Sequence, residues 1–108
     1  MVYELRIYHC IPGRLGALHR RFEDVTLKLW ERFGIRPVGF WTTVVGPSSQ
    51  TLTYLIRWES LADREGKWNA FISDADWIAA RVSSEKDGAI VEKVENQLLE
   101  PTAYSPMR

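Results

Sequence analysis

The chain has 108 residues, 45% of them apolar and 26% charged, with acids and bases in equal number and a pI near 6.7. That length suits one domain over residues 1–108, and a net charge of zero gives no basic field to draw in nucleic acid or an anionic membrane surface. The single cysteine, Cys10, excludes an internal disulfide and a multi-cysteine zinc site and points to a cytoplasmic setting, and no run of about 18 apolar residues is present to cross a bilayer.

The opening residues lack the basic-then-apolar order of an export signal, so none is expected. Residues 2 to 10 alternate as a strand, with Tyr3, Leu5, Ile7 and His9 on one side and Glu4, Arg6, Tyr8 and Cys10 on the other. Pro12-Gly13 breaks it. From Arg14 to about Phe33 the apolar positions Leu15, Leu18, Phe22, Val25, Leu29 and Phe33 step by three or four, the stripe of a long amphipathic helix that Gly34 stops. Residues 36 to 45 read as a second strand, joined through Gly46-Pro47-Ser48-Ser49-Gln50 to a third over Thr51 to Glu59, and the two are expected to pair as a hairpin. In the third strand Leu52, Tyr54, Ile56 and Trp58 share a side, and Thr51, Thr53, Leu55, Arg57 and Glu59 share the other.

Ser60 with Asp63 signals a helix start, and Leu61, Trp68, Phe71 and Ile72 supply its buried side. Ser73-Asp74 interrupts it, Asp74 or Asp76 caps a further helical piece through Trp77, Ile78, Arg81 and Val82, and Asp87-Gly88 turns into a last strand from about Ile90 to Leu99. The order strand, helix, strand, strand, helix, strand predicts an α+β, ferredoxin-like βαββαβ fold. In it a four-stranded antiparallel sheet carries both helical segments on one face, with strands one and three central. The reverse face is then bare. Reading the charged side of each central strand as the outward one places Glu4, Arg6, Tyr8, Leu55, Arg57 and Glu59 there, and a second copy across a two-fold axis is the simplest cover, a homodimer.

Several pieces of the chain together resemble the NIPSNAP family: Tyr3-Glu4-Leu5-Arg6-x-Tyr8, Pro12-Gly13, Gly39-x-Trp41-Thr42, Gly46-Pro47, Leu55-x-Arg57-Trp58-x-Ser60-Leu61-Ala62-x-Arg64, Asp76-Trp77 and Leu98-Leu99-x-Pro101. The resemblance implies a dimeric α+β barrel, in which two ferredoxin-like subunits join their sheets. It implies no defined chemistry. Animal members of the family are associated with mitochondria and vesicle traffic, a role that does not carry over to a chain with neither a targeting peptide nor a long heptad run.

Candidate site residues follow from the faces. Glu4, Arg6, Arg57 and Glu59 read as a structural ion-pair network, with the alternative that Arg6 or Arg57 is left free to hold a carboxylate or phosphate. Tyr8 and Trp41 either pack or line an aromatic-walled pocket, and Tyr3, Tyr54 and Trp58 face a core or a cleft between sheet and helices. His9 ends the first strand, His19 lies off the apolar stripe and is read as solvent-facing, and two histidines without matched carboxylates make a poor metal site. No phosphate loop or nucleophile elbow is present, and no cofactor is expected. The leading expectation is a dimer that binds a small organic ligand between sheet and helices. The alternatives are a cofactor-independent oxygenase or isomerase using Tyr8, Trp41 or His9, and an adaptor whose purpose is dimerisation alone.

Overall fold

A computed structural model describes all 108 residues. Strand β1 (Val2–Cys10) leads into a helical rod made of α1 (Leu15–Arg21), a π-helical segment (Phe22–Thr26) and α2 (Leu27–Phe33), which ends on Gly34 at φ 72°. Strands β2 (Arg36–Thr42) and β3 (Thr51–Trp58) follow, then α3 (Leu61–Ile72), α4 (Ala75–Ser84) and β4 (Val91–Leu99). The sheet order is β2-β3-β1-β4 with every neighbouring pair antiparallel, so the expected four-stranded α+β fold with β1 and β3 central is present.

Local chemistry sets the helix ends. The Ser60 hydroxyl accepts the Asp63 N–H at the start of α3, and the Asp74 carboxylate accepts the N–H groups of both Asp76 and Trp77 at the start of α4. Strand β2 stops at Thr42 rather than continuing to residue 45. The ladder to β3 ends at the pair Thr42↔Leu52, and the chain then bows out around Pro47 and leaves Val44 and Val45 almost wholly in solvent.

The core lies between the sheet and the helices, built on Leu18, Phe22, Leu29, Trp30, Tyr54, Ile56, Trp58 and Phe71. The register explains which side of β1 joins it. Glu4 pairs with Ile56, Arg6 with Tyr54 and Tyr8 with Leu52, and directly opposed residues in a sheet share a face. Glu4, Arg6, Tyr8 and Cys10 therefore point toward the helices, while Tyr3, Leu5, Ile7 and His9 lie on the reverse face with Leu55 and Arg57. This corrects the assignment of β1's charged side to the outside and dissolves the four-charge cluster. Glu4 and Arg6 are buried together, but Arg57 is exposed on the reverse face with its Nε 3.0 Å from Met1 Sδ, and Glu59 is exposed with no ion pair.

Glu4 is fully buried because its carboxylate is saturated. It accepts from Arg64 Nε at 2.8 Å and Nη2 at 3.1 Å, from Arg6 Nη1 at 2.9 Å, from Trp58 Nε1 at 3.1 Å and from Asn96 Nδ2 at 3.1 Å. One carboxyl group thus ties β1, β3, β4 and α3 together. Burial alone would push it up, but the hydrogen bonds from Arg64, Asn96 and Arg6 outweigh burial and bring its pKa from 4.5 down to about 2.

Two outcomes follow for stability. Glu4 is more acidic folded than unfolded, so its contribution is complete above pH 4.5 and is lost as the pH falls from there toward 2. Denaturant titrations should show the native protein losing about 3 kcal/mol over that window, and Glu4→Gln should cost about 3 kcal/mol near neutrality and flatten the acid slope. An unchanged slope in the variant would mean that other carboxyl groups carry the acid sensitivity. Replacing the α4 cap, Asp74→Ala, should lower unfolding stability by about 1 to 2 kcal/mol, measured by the same titration at neutral pH.

Candidate functional site

The rod is the element that shapes the site. Within it Thr26 donates its hydroxyl to the Arg21 carbonyl at 3.3 Å, across the wider turn of the π segment. A π turn takes in an extra residue, so the inward stripe advances by about one position relative to a straight α-helix. The straight spacing expects Val25 and Phe33 inside, yet both are only half-buried, and Thr26 and Trp30 take inner positions in line with Arg21, which ends α1 ahead of the π segment.

These inner residues roof a cavity of about 240 Å³ between sheet and helices. Arg6 and Tyr8 of β1 and Val94 of β4 form its floor, Trp68, Phe71 and Ile72 of α3 one wall, and Trp77 and Arg81 of α4, with Glu85 just beyond, the other. The lining is aromatic and carries more positive than negative charge, since three arginines face one glutamate.

Each polar group on the floor has a defined partner. Arg6 donates through Nε to the Tyr54 hydroxyl at 2.8 Å, through Nη1 to Glu4 and through Nη2 to the Tyr8 hydroxyl at 3.4 Å, and its guanidinium lies 4.6 Å from the centroid of the Trp68 ring. Burial works to lower the Arg6 pKa, but Tyr54, Tyr8 and Glu4 outweigh it and keep the group charged. Tyr54 donates to Tyr8 at 2.9 Å, and its own phenol is pushed well above 10.0, mainly by burial and further by Tyr8. Because the Tyr8 oxygen accepts from both Arg6 and Tyr54, its hydrogen is left for whatever occupies the cavity.

The roof contains two donors with no protein partner, Arg21 Nε and Trp30 Nε1. Arg21 uses Nη1 to reach Ser84 Oγ at 3.3 Å and Glu85 Oε1 at 3.6 Å, and its guanidinium stands 5.4 Å from the Trp77 centroid. Burial pulls its pKa down, against the attraction of Tyr8 and Glu85. Burial also raises the Cys10 thiol, with Arg21 opposing, so Cys10 is a small core residue rather than a nucleophile.

Of the residues singled out in the sequence, Arg6 and Tyr8 line this cavity. Tyr54 and Trp58 lie beneath the lining, fully buried, with their polar atoms held by Arg6, Tyr8 and Glu4. Trp41 stands on the reverse face beside Gly39, where an added Cβ would meet its ring at 2.9 Å, and with His19 it borders a separate groove of about 300 Å³ at the β2 side. Tyr3 and Arg57 share the reverse face, and His9 pairs there with Glu95 at 2.6 Å. Sequence reasoning missed Arg21, Thr26, Trp30, Arg64 and Asn96 as functional or supporting positions. Trp30 alone carried a usable signal, a large apolar residue adjoining the stripe. No three or more His, Cys, Asp or Glu residues converge as a metal site would.

Comparison with known proteins agrees with this architecture. The NIPSNAP family model matches residues 3–106. A NIPSNAP family protein from Agrobacterium tumefaciens aligns with TM-score 0.85 at 26% identity over 99% of this chain and 98% of its own. An uncharacterized NIPSNAP domain protein from Burkholderia xenovorans aligns with TM-score 0.84 at 21% identity, covering 98% of this chain and 99% of its own. A putative antibiotic biosynthesis monooxygenase from Nitrosomonas europaea shares the fold with TM-score 0.64 at 8% identity, covering 94% of this chain and 98% of its own. No curated protein matches. With the motifs, the strand order and a family match that runs nearly end to end, the chain belongs to the NIPSNAP family.

Proposed function

We propose that this NIPSNAP protein is a homodimer that binds a small organic molecule in the cavity between sheet and helices, with no reaction assigned to it. The observation that carries the binding reading is a walled cavity of about 240 Å³, two of whose lining residues, Arg21 and Trp30, carry a buried N–H without a partner. Protein interiors are otherwise packed and paired, so such a space is costly unless something fills it. Its volume lies just under the span of about 300 to 1,000 Å³ usual for sites that take drug-sized molecules, which favours a smaller ligand. An adaptor whose only purpose is dimerisation has no need of this cavity.

The dimer reading rests on the reverse face. Leu5, Ile7 and Leu55 lie together there on adjacent strands, half-buried and uncovered by any helix, and Trp41 beside them is 52% exposed. That surface is more apolar than the charged one expected from sequence and so better suited to a second copy. A second reading, proton transfer to or from a bound substrate without a cofactor, draws on Tyr8, whose hydrogen is available to the cavity. His9 and Trp41 stand outside that cavity and lend it no support.

Light scattering coupled to size-exclusion chromatography should give twice the chain mass at micromolar concentration, and Ile7→Glu should give the chain mass with an unchanged circular dichroism spectrum. A monomeric native protein would overturn the dimer. Titrating small aromatic and aliphatic compounds should quench the fluorescence of Trp30, Trp68 and Trp77, which line the cavity, and raise the melting temperature. Tyr8→Phe should weaken a ligand that carries an acceptor by about fivefold to tenfold. Silence across the whole panel would overturn the binding reading.

A further inference from the structure

Two residues of the roof, Arg21 and Trp30, each carry a buried N–H that no protein atom accepts. Arg21 sits with its side chain 6% exposed, and Trp30 is 1% exposed, so water has little access to either. A buried N–H without an acceptor is penalised, and the penalty is larger on a charged group. The protein engages only one corner of the Arg21 guanidinium, Nη1, through Ser84 and Glu85. The Nε side has no protein acceptor. A guanidinium edge with two parallel N–H groups matches the two oxygens of a carboxylate.

From this edge, the unpaired Trp30 Nε1 and the aromatic walls, we propose that the ligand is a small monocarboxylic acid bound as its anion. Its carboxylate accepts from the Nε side of Arg21, and its apolar body lies among Phe22, Trp68 and Phe71. The proposal rests on the cavity reading above and deepens it. Arg6, the anchor suggested by the sequence, is the poorer one, because Glu4, Tyr54 and Tyr8 already take all three of its nitrogens. Glu85, 3.6 Å from Arg21 Nη1, competes with the ligand for the same charge. Phosphate is the less suitable anion, since its larger charge is more strongly hydrated and the apolar walls offer it nothing.

The test titrates matched pairs, benzoate against benzamide and hexanoate against hexanamide, with phenyl phosphate as a third arm, following tryptophan quenching of the full-length protein. The acids should bind about tenfold or more tighter than their amides. Arg21→Gln should reduce that preference below about twofold, and Arg21→Lys should retain part of it. Glu85→Gln, at a half-exposed position, should tighten the acids about threefold and leave the amides unmoved, a gain that a purely structural Arg21 would not produce. Equal binding of acid and amide by the native protein would overturn the proposal while leaving the cavity reading intact. Tighter binding of phenyl phosphate than of benzoate would overturn the carboxylate assignment. No quenching by any compound would overturn both readings.

Discussion

Much of this molecule is arranged around one buried carboxylate. Glu4 sits at the centre of the sheet, where a charge survives only if its lone pairs are fully engaged, and donors from two strands, a neighbouring residue and a helix converge to do that. Strand periodicity then leaves no freedom to its neighbours. If Glu4 faces inward, Arg6 and Tyr8 must as well. The polar floor of the cavity is thus a consequence of placing an acid inside the sheet, and the apolar reverse face is the other half of the same consequence.

The fold was legible because its signals are local. Alternating apolar runs, the Ser60 and Asp74 caps and the Gly34 stop each act over a few residues, and the strand order follows from handedness rules applied to them. Which side of β1 faces the helices was not legible. The rule that charged residues lie outside fails when the partners that neutralise them come from far along the chain, and Arg64 and Asn96 lie 60 and 92 residues from Glu4. In β3 the same rule succeeded, because Tyr54 and Trp58 bring bulk together with a polar atom that reaches its partner inside the core.

The candidate site shows the same division. Arg6 and Tyr8 were visible as polar residues at strand spacing. Arg21 was hidden because it is charged, although it lies three residues after the buried Leu18 on the inward side of α1; the π segment that follows turns Thr26 and Trp30 inward beside it. The relatives share the fold at 21% to 26% identity, so the backbone frame tolerates wide substitution, while the polar contents of the cavity in this chain depend on specific side chains.

The rod's length matters as much as its composition. Each helical residue turns the chain by about 100°, so dropping a single residue anywhere in the π segment would rotate everything beyond it by more than a quarter turn. Trp30 would swing away from the ceiling and Glu31 would turn into its place, with Lys28 moving nearer. Indels in this stretch therefore act as a selector of pocket contents, and two chains with identical lining residues but rods differing by one residue would present different chambers.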